Sequence, residues 1–272
     1  MKILVTGGSG FLGSHIVDAL IKEKHDVIVF DQFESSYVNK SATFIKGNIN
    51  DADALLSCAK GCNIIYHLAA IADIGKALAD PNQTMQVNVM GTLNVLEAAK
   101  NSGVERFIFA SSIYVYSKKG AFYRTSKRAC EQLIEDYNTE FGLNYTILRF
   151  GSLYGPRADS TNTVYQLVAQ AVASNSMTYK GTGEEVREYI HALDGAASAV
   201  EILKPEFENQ IMHLTGNERI TTLNMMEMIA EIIGSDIKIN LDNKRITGHY
   251  YQTPYNFTPK IGKKLIQSSC VD

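Results

Sequence analysis

Through the first 150 residues, short apolar runs alternate with longer stretches of helical periodicity. KILVT (2–6), DVIVFD (26–31), TFIKG (43–47), NIIYHLAA (63–70), RFIFASS (106–112) and NYTILRF (144–150) are rich in apolar, β-branched and aromatic residues. Such near-continuous runs predict strands buried on both faces. Helical spacing fills the gaps near 11–24, 51–60, 81–102 and 122–142. In the third of these, NVMGTLNVLEAAKNSG places Val89, Leu93, Leu96 and Ala99 on one face, and Gly103 supplies a stop signal. Strand–helix alternation of this kind predicts an α/β fold, a parallel sheet wound by helices on both sides.

Beyond residue 150 the rhythm loosens. SLYGPRADSTNTVY reads as a loop before a helix, LDGAASAVEIL as a helix, QIMHLTG as a strand and LNMMEMIAEIIG as an amphipathic helix. The chain therefore divides into a nucleotide-binding domain at 1–150 and a smaller substrate-binding region at 151–272 that closes a cleft. The boundary is soft, because strands of one part can join the sheet of the other. No internal repeat or low-complexity stretch interrupts this organisation.

The link between the first strand and the first helix is TGGSGFLG. Gly7, Gly10 and Gly13 form G-x-x-G-x-x-G, and Gly8, Gly10 and Gly13 satisfy G-x-G-x-x-G. Glycines there permit a tight turn and let backbone approach a pyrophosphate, which the helix N-terminus attracts with free N–H groups. DVIVFD then ends on Asp31, 18 residues beyond Gly13, where a carboxylate would hydrogen-bond an adenine ribose diol. Together these features predict a Rossmann-type doubly wound sheet that binds a dinucleotide. Asp31 would repel a 2′-phosphate, and the following QFESSYV contains no Arg or Lys, so NAD is favoured over NADP.

Composition narrows the remaining classes. The 272 residues are 45% hydrophobic and 20% charged, with a net charge of −3, as in an ordinary globular protein without the basic footprint of a nucleic-acid partner. No apolar run approaches the length of a membrane span, and glycines interrupt the N-terminal MKILVTGGSG too early for a signal peptide. The four cysteines, Cys58, Cys62, Cys130 and Cys270, lack metal-site spacing, and the six histidines are scattered. Free thiols in a reducing cytoplasm and no metal are the expectation.

SSIYVYSKKGAFYRTSK (111–127) holds one spacing twice: Tyr114 four residues before Lys118, and Tyr123 four before Lys127. Chance alone yields about one such match in a chain with this tyrosine and lysine content. Tyr114 lies at the end of a strand, where Lys118 need not share its face. Tyr123 opens a helical stretch, so Lys127 falls one turn along on the same side. Ser111 and Ser112 end the fifth strand, at the carboxyl edge where cofactor and substrate meet in such sheets. Tyr123 is the better acid–base candidate, and Tyr114 the better packing residue.

Across most of its length the chain resembles the extended short-chain dehydrogenase/reductases, the NAD-dependent nucleotide-sugar epimerase/dehydratase family. The matching stretches run in family order: TGGSGFLG, VIVFD, HLAA at 67–70, NVMGTLNVLEAA, SSIYVY, YRTSK, LRFGSLYGPR and REYIHALD. The resemblance implies Ser112, Tyr123 and Lys127 as catalytic residues, with Tyr123 and Lys127 also touching the cofactor. It implies NAD contacts from the loop residues Gly7, Gly10, Phe11, Leu12 and Gly13, from Asp31, and from Asn48, Ile49, Leu68, Ala69, Ala70 and Asn88. Ser112, Ser152 and Arg187 would contact a nucleotide-sugar substrate, Arg187 at its phosphate; His191 would serve packing. A homodimer through the helices near 81–102 and 122–142 is also implied, forming an intermolecular four-helix bundle. Two departures stand out. Ser152 replaces an Asn common in relatives, and only 11 residues separate Ser112 from Tyr123, about half the family spacing, so a loop that helps wall the sugar site is missing.

Family members that dehydrate place Asp–Glu after the catalytic serine, and those that decarboxylate place a Glu before the V-Y pair. Ile113 and Tyr114 stand there instead. What remains is a hydride-transfer core, sufficient to oxidise a sugar carbinol to a ketone, turn it, and return the hydride. The leading expectation is an NAD-dependent nucleotide-sugar 4-epimerase. A sugar oxidoreductase with net NAD(H) turnover is the alternative, and a non-catalytic NAD-binding protein is the rival of a different class.

Overall fold

The computed structural model describes residues 1–234, 236–242 and 248–257; Cys270 lies outside them. In chain order its strands are β1 (Lys2–Thr6), β2 (Asp26–Asp31), β3 (Thr43–Lys46), β4 (Ile64–His67), β5 (Arg106–Ser112), β6 (Asn144–Phe150), β7 (Ser152–Tyr154), β8 (Ser176–Tyr179), β9 (Val186–Arg187), β10 (Tyr189–His191), β11 (Gln210–Leu214), β12 (Ile220–Thr221) and β13 (Lys238–Leu241). The helices are α1 (Phe11–Lys22), α2 (Ala52–Ala59), α3 (Ile74–Ala79), α4 (Pro81–Met85), α5 (Gly91–Asn101), α6 (Ala121–Phe141), α7 (Thr163–Ser174), α8 (Ala192–Glu201) and α9 (Thr222–Ile233).

The six apolar runs of the first half all form strands of one parallel sheet, ordered β11-β6-β5-β4-β1-β2-β3. That is the doubly wound order with a seventh strand added at the β6 edge. Its register aligns the carboxyl ends: Thr6 lies opposite Phe30 and His67, and Ser112 opposite Phe150. One apolar layer, including Leu55, Leu96, Phe107 and Ile134, fills the face under α2, α5 and α6; the other, including Ile16, Leu20, Tyr66 and Ala199, fills the face under α1 and α8. A smaller separate core forms around Leu167, Met177, Met226 and Ile229, between α7, α9 and the β8–β13 pair.

Two elements beyond residue 150 join the central sheet and its helical cover. β11 pairs with β6, and α8 packs on the α1 side, where the buried Tyr66 hydroxyl donates to the Ala199 carbonyl at 2.6 Å. The expected single helix over 81–102 is instead α4, one π-helical turn at Gln86–Met90, and α5, with α3 ahead of them. Asp73 and Asp80 cap α3 and α4 through the N–H groups of Lys76 (2.6 Å) and Gln83 (2.9 Å), and Pro81 restarts the chain after Asp80. The wide π turn aims Asn88 inward.

Candidate active site

The aligned strand ends open onto a cavity of about 660 Å³. At one end lies the glycine loop. Gly7 holds φ +75°, and a β-carbon there would stand 2.6 Å from the Ala69 nitrogen. At Gly13 it would stand 2.1 Å from the Gly7 carbonyl oxygen. Only glycine permits that close approach of loop, helix and β4 extension. α1 starts without a side-chain cap, so the N–H groups of its first turn face the cavity free for a phosphate. Asp31 also lines the cavity; its carboxylate accepts the Ser9 N–H at 3.1 Å, and the neighbouring Ser9 hydroxyl is buried without a partner. Bare helix N-terminus, close-packed glycines and an oriented carboxylate fit a dinucleotide. Arg157 lies over the Tyr37 ring at 5.4 Å and pairs with Asp18 at 2.7 Å.

Ser112, Tyr123 and Lys127 line the same cavity. β5 delivers Ser112, and the first two turns of α6 deliver the other two. The Ser112 hydroxyl, whose oxygen accepts the Tyr114 N–H at 3.3 Å, lies close enough to the Tyr123 phenol to favour its ionised form. The Lys127 ammonium donates to the Ala110 carbonyl at 2.7 Å, lies 4.5 Å from the centre of the Phe109 ring, and is 5.9 Å from that of Tyr123. Burial pushes the Tyr123 phenol up to about 12, opposed by the Ser112 hydroxyl. Burial pushes Lys127 down to about 8, opposed by Cys130 and Glu131. Both shifts favour neutral forms, so the protein alone stops short of producing a phenolate.

Tyr114 sits in the short 3₁₀ turn after β5, where its hydroxyl meets His249 Nδ1 at 2.6 Å and its ring packs 4.6 Å from Tyr250. Lys118 is exposed. Of the two matching spacings, only the second forms a pair within the cavity.

Most of the expected cofactor residues line the cavity: Gly7, Gly10, Phe11, Leu12, Gly13, Asp31, Ile49, Leu68, Ala69 and Ala70. Four expected residues do not. Asn48 is exposed and turns its side chain to the Asn50 N–H at 2.9 Å. Asn88 is buried and grips the backbone of Ile71, accepting its N–H at 2.7 Å and donating to its carbonyl at 3.0 Å and to Ser126 at 2.9 Å. Its contact with the cavity is indirect, through Ile71. Ser152 reaches the Tyr250 hydroxyl at 3.5 Å. Arg187 lies beneath the Tyr250 ring at 4.3 Å and donates to the Val186 and Tyr251 carbonyls.

The residues 248–257 that cover Arg187 carried no motif and were not anticipated as part of the site. His191 accepts the Leu193 N–H at 3.2 Å, capping α8. Buried His67 bridges Thr6 and Thr92 (2.7 and 2.9 Å) and is held neutral by desolvation, pushed down to about 3. Cys58, Cys62 and Cys130 are buried free thiols. Among the described residues, no three metal-ligating side chains gather and no helix is long and apolar enough to cross a membrane.

Comparison with known proteins converges on one family. The model of the NAD dependent epimerase/dehydratase family matches residues 3–213. The uncharacterized UDP-glucose epimerase YtcB of Bacillus subtilis is 30% identical, over 90% of this chain and 86% of its own. UDP-glucuronic acid decarboxylase 1 of Arabidopsis thaliana is also 30% identical, over 86% of this chain and 58% of its own. The structure of UDP-glucuronic acid 4-epimerase from Bacillus cereus, in complex with UDP-glucuronic acid and NAD, superimposes with a TM-score of 0.86 at 26% identity. It covers 96% of this chain, which covers 95% of it.

Proposed function

The chain belongs to the NAD dependent epimerase/dehydratase family, and from that premise we propose that it is an NAD-dependent nucleotide-sugar 4-epimerase. The observation that carries this reading is the meeting of Ser112, Tyr123 and Lys127 at the cavity wall, with Ile113 buried and Tyr114 engaged by His249 where relatives that dehydrate or decarboxylate carry acids. A hydride-transfer core without a further carboxylate at those positions suits oxidation and re-reduction of one carbinol.

The glycine loop, the α1 N-terminus and Asp31 would hold the cofactor, with Ile49, Leu68, Ala69 and Ala70 along its length. When bound, NAD supplies a hydride acceptor, later the donor, and a positive charge. Tyr123 takes the substrate hydroxyl proton at its phenolic oxygen and returns it after the ketone has turned. Lys127, protonated at neutral pH, favours the phenolate electrostatically. Ser112 donates to the reacting oxygen and fixes it beside Tyr123.

The cofactor is assigned to residues 1–150 and the nucleotide sugar to the cleft they form with 151–272, where Ser152 and Arg187 would contact it. Arg187 becomes available to a phosphate on displacement of Tyr250. A homodimer is proposed through the outer faces of α5 and α6, where Phe122 and Phe141 are exposed; light scattering showing a monomer at micromolar concentration would reject it. Buried free thiols agree with a cytoplasmic setting, which cell fractionation tests.

Redox balance decides between the epimerase and a net oxidoreductase. An epimerase regenerates its oxidised cofactor each cycle, so purified protein should carry NAD. It should also convert its sugar without accumulating NADH, read at the reduced-nicotinamide absorbance beside product analysis. One NADH per sugar consumed would establish the oxidoreductase instead.

A further inference from the structure

Behind the acid–base wall lies a charged group that the chemistry above does not use. Glu131, one helical turn beyond Lys127 on α6, is 5% exposed. Arg149 on β6 grips its carboxylate with two parallel bonds, Nε to Oε1 at 2.9 Å and Nη2 to Oε2 at 2.6 Å. The same Oε1 accepts the hydroxyl of Ser111 at 2.5 Å. Ser111 stands directly opposite Arg149 in the β5–β6 register, and it immediately precedes Ser112.

Two bonds thus tie the end of β5 to one face of α6. Lys127 donates to Ala110, and Ser111 donates to Glu131. Together with the Arg128 bond to the Val115 carbonyl just beyond β5, they constrain where Ser112 sits relative to Tyr123, and a side-chain contact of that precision needs such fixed supports. We propose that Glu131 is a positioning residue for the acid–base site, fastening the Ser112 end of β5 to the face of α6 that carries Tyr123 and Lys127. This rests on the catalytic reading of Tyr123 and Lys127 given above.

The arrangement also has an electrostatic side. Lys127 is faced by Tyr123, Cys130 and Glu131 from α6, by the Ala110 carbonyl and Phe109 ring from β5, by neutral His67 from β4, and by the Arg149–Glu131 pair from β6. Among these, Glu131 is the carboxylate, and it raises the proton affinity of the lysine against burial. Its loss leaves Arg149 unopposed and moves Lys127 towards the neutral amine.

The experiment uses Ser111→Ala, Ser111→Thr and Glu131→Gln in the full-length protein. Ser111→Ala keeps the ion pair and should lower kcat about tenfold with KM unchanged, as expected when a catalytic contact loosens by a fraction of an ångström. Ser111→Thr retains the hydroxyl and should restore it. In Glu131→Gln, the lysine titration followed by NMR of labelled side chains in cofactor-free protein should shift to lower pH. The alkaline limb of kcat/KM should move with it. Wild-type kcat in Ser111→Ala would overturn the positioning role, and a Lys127 titration unchanged in Glu131→Gln would overturn the electrostatic effect on the lysine. If no nucleotide sugar is turned over by the wild-type protein, the epimerase reading fails, while the NMR titration still decides whether Glu131 acts on Lys127.

Discussion

Lys127→Met isolates the cost of keeping a charge in the wall of the cavity. Lys127 is 3% exposed, and burial lowers it from the ordinary 10.5 to about 8. A gap of that size corresponds to about 3 kcal/mol of preference for the neutral amine in the folded state. The sign follows from proton counts. Below pH 8 both folded and unfolded lysines are charged, and the full cost is present. Between about 8 and 10.5 the unfolded chain binds more protons than the folded one, so wild-type stability rises with pH. Methionine has no such term. The stability difference between wild type and Lys127→Met should therefore move by about 3 kcal/mol in favour of the wild type from pH 7 to pH 10.5. The Ala110 carbonyl loses its donor in the variant at every pH, which offsets the two curves without changing that movement. Urea unfolding at both pH values measures it, and titrating groups remote from Lys127 cancel in the difference. A gap that stays constant would refute the premise that Lys127 is a buried, strained cation. Activity should fall at least a hundredfold in the same variant, roughly the contribution of a general acid–base group.

Tyr123→Phe should keep the fold and cofactor binding and lose turnover by two orders of magnitude or more, whereas Tyr114→Phe, which gives up only the bond to His249, should keep most of it; steady-state kinetics of the two variants read this directly. Gly13→Ala should abolish NAD binding or folding, since its β-carbon would meet the Gly7 carbonyl at 2.1 Å with backbone on both sides, as fluorescence titration of NAD and circular dichroism would show. Tyr250→Ala removes a buried ring from Arg187 and Tyr114 and should cost about 3 kcal/mol locally, releasing residues 248–257 to limited proteolysis while the sheet persists.

The sheet was legible because its signals are local. Six strands showed as apolar runs, and TGGSGFLG with Asp31 marked by spacing alone one end of what folds into the cavity. Tyr123 could be preferred over Tyr114 because a helix places i and i+4 together whatever surrounds it. Contacts between distant segments were not legible in this way. Asn88 sits in a recognisable motif, yet only the π turn and the path of Ile71 decide that it clamps backbone. Arg187 read as a phosphate ligand by position, but the fold lays Tyr250, 63 residues later in the chain, across its guanidinium. Nothing in the sequence singles out Glu131; only the fold brings Arg149 of β6 against it, 18 residues away. Periodicity reports which face of an element is buried. Only the packed structure decides what it is buried against, because that depends on side chains far apart in sequence finding mutual charge and shape.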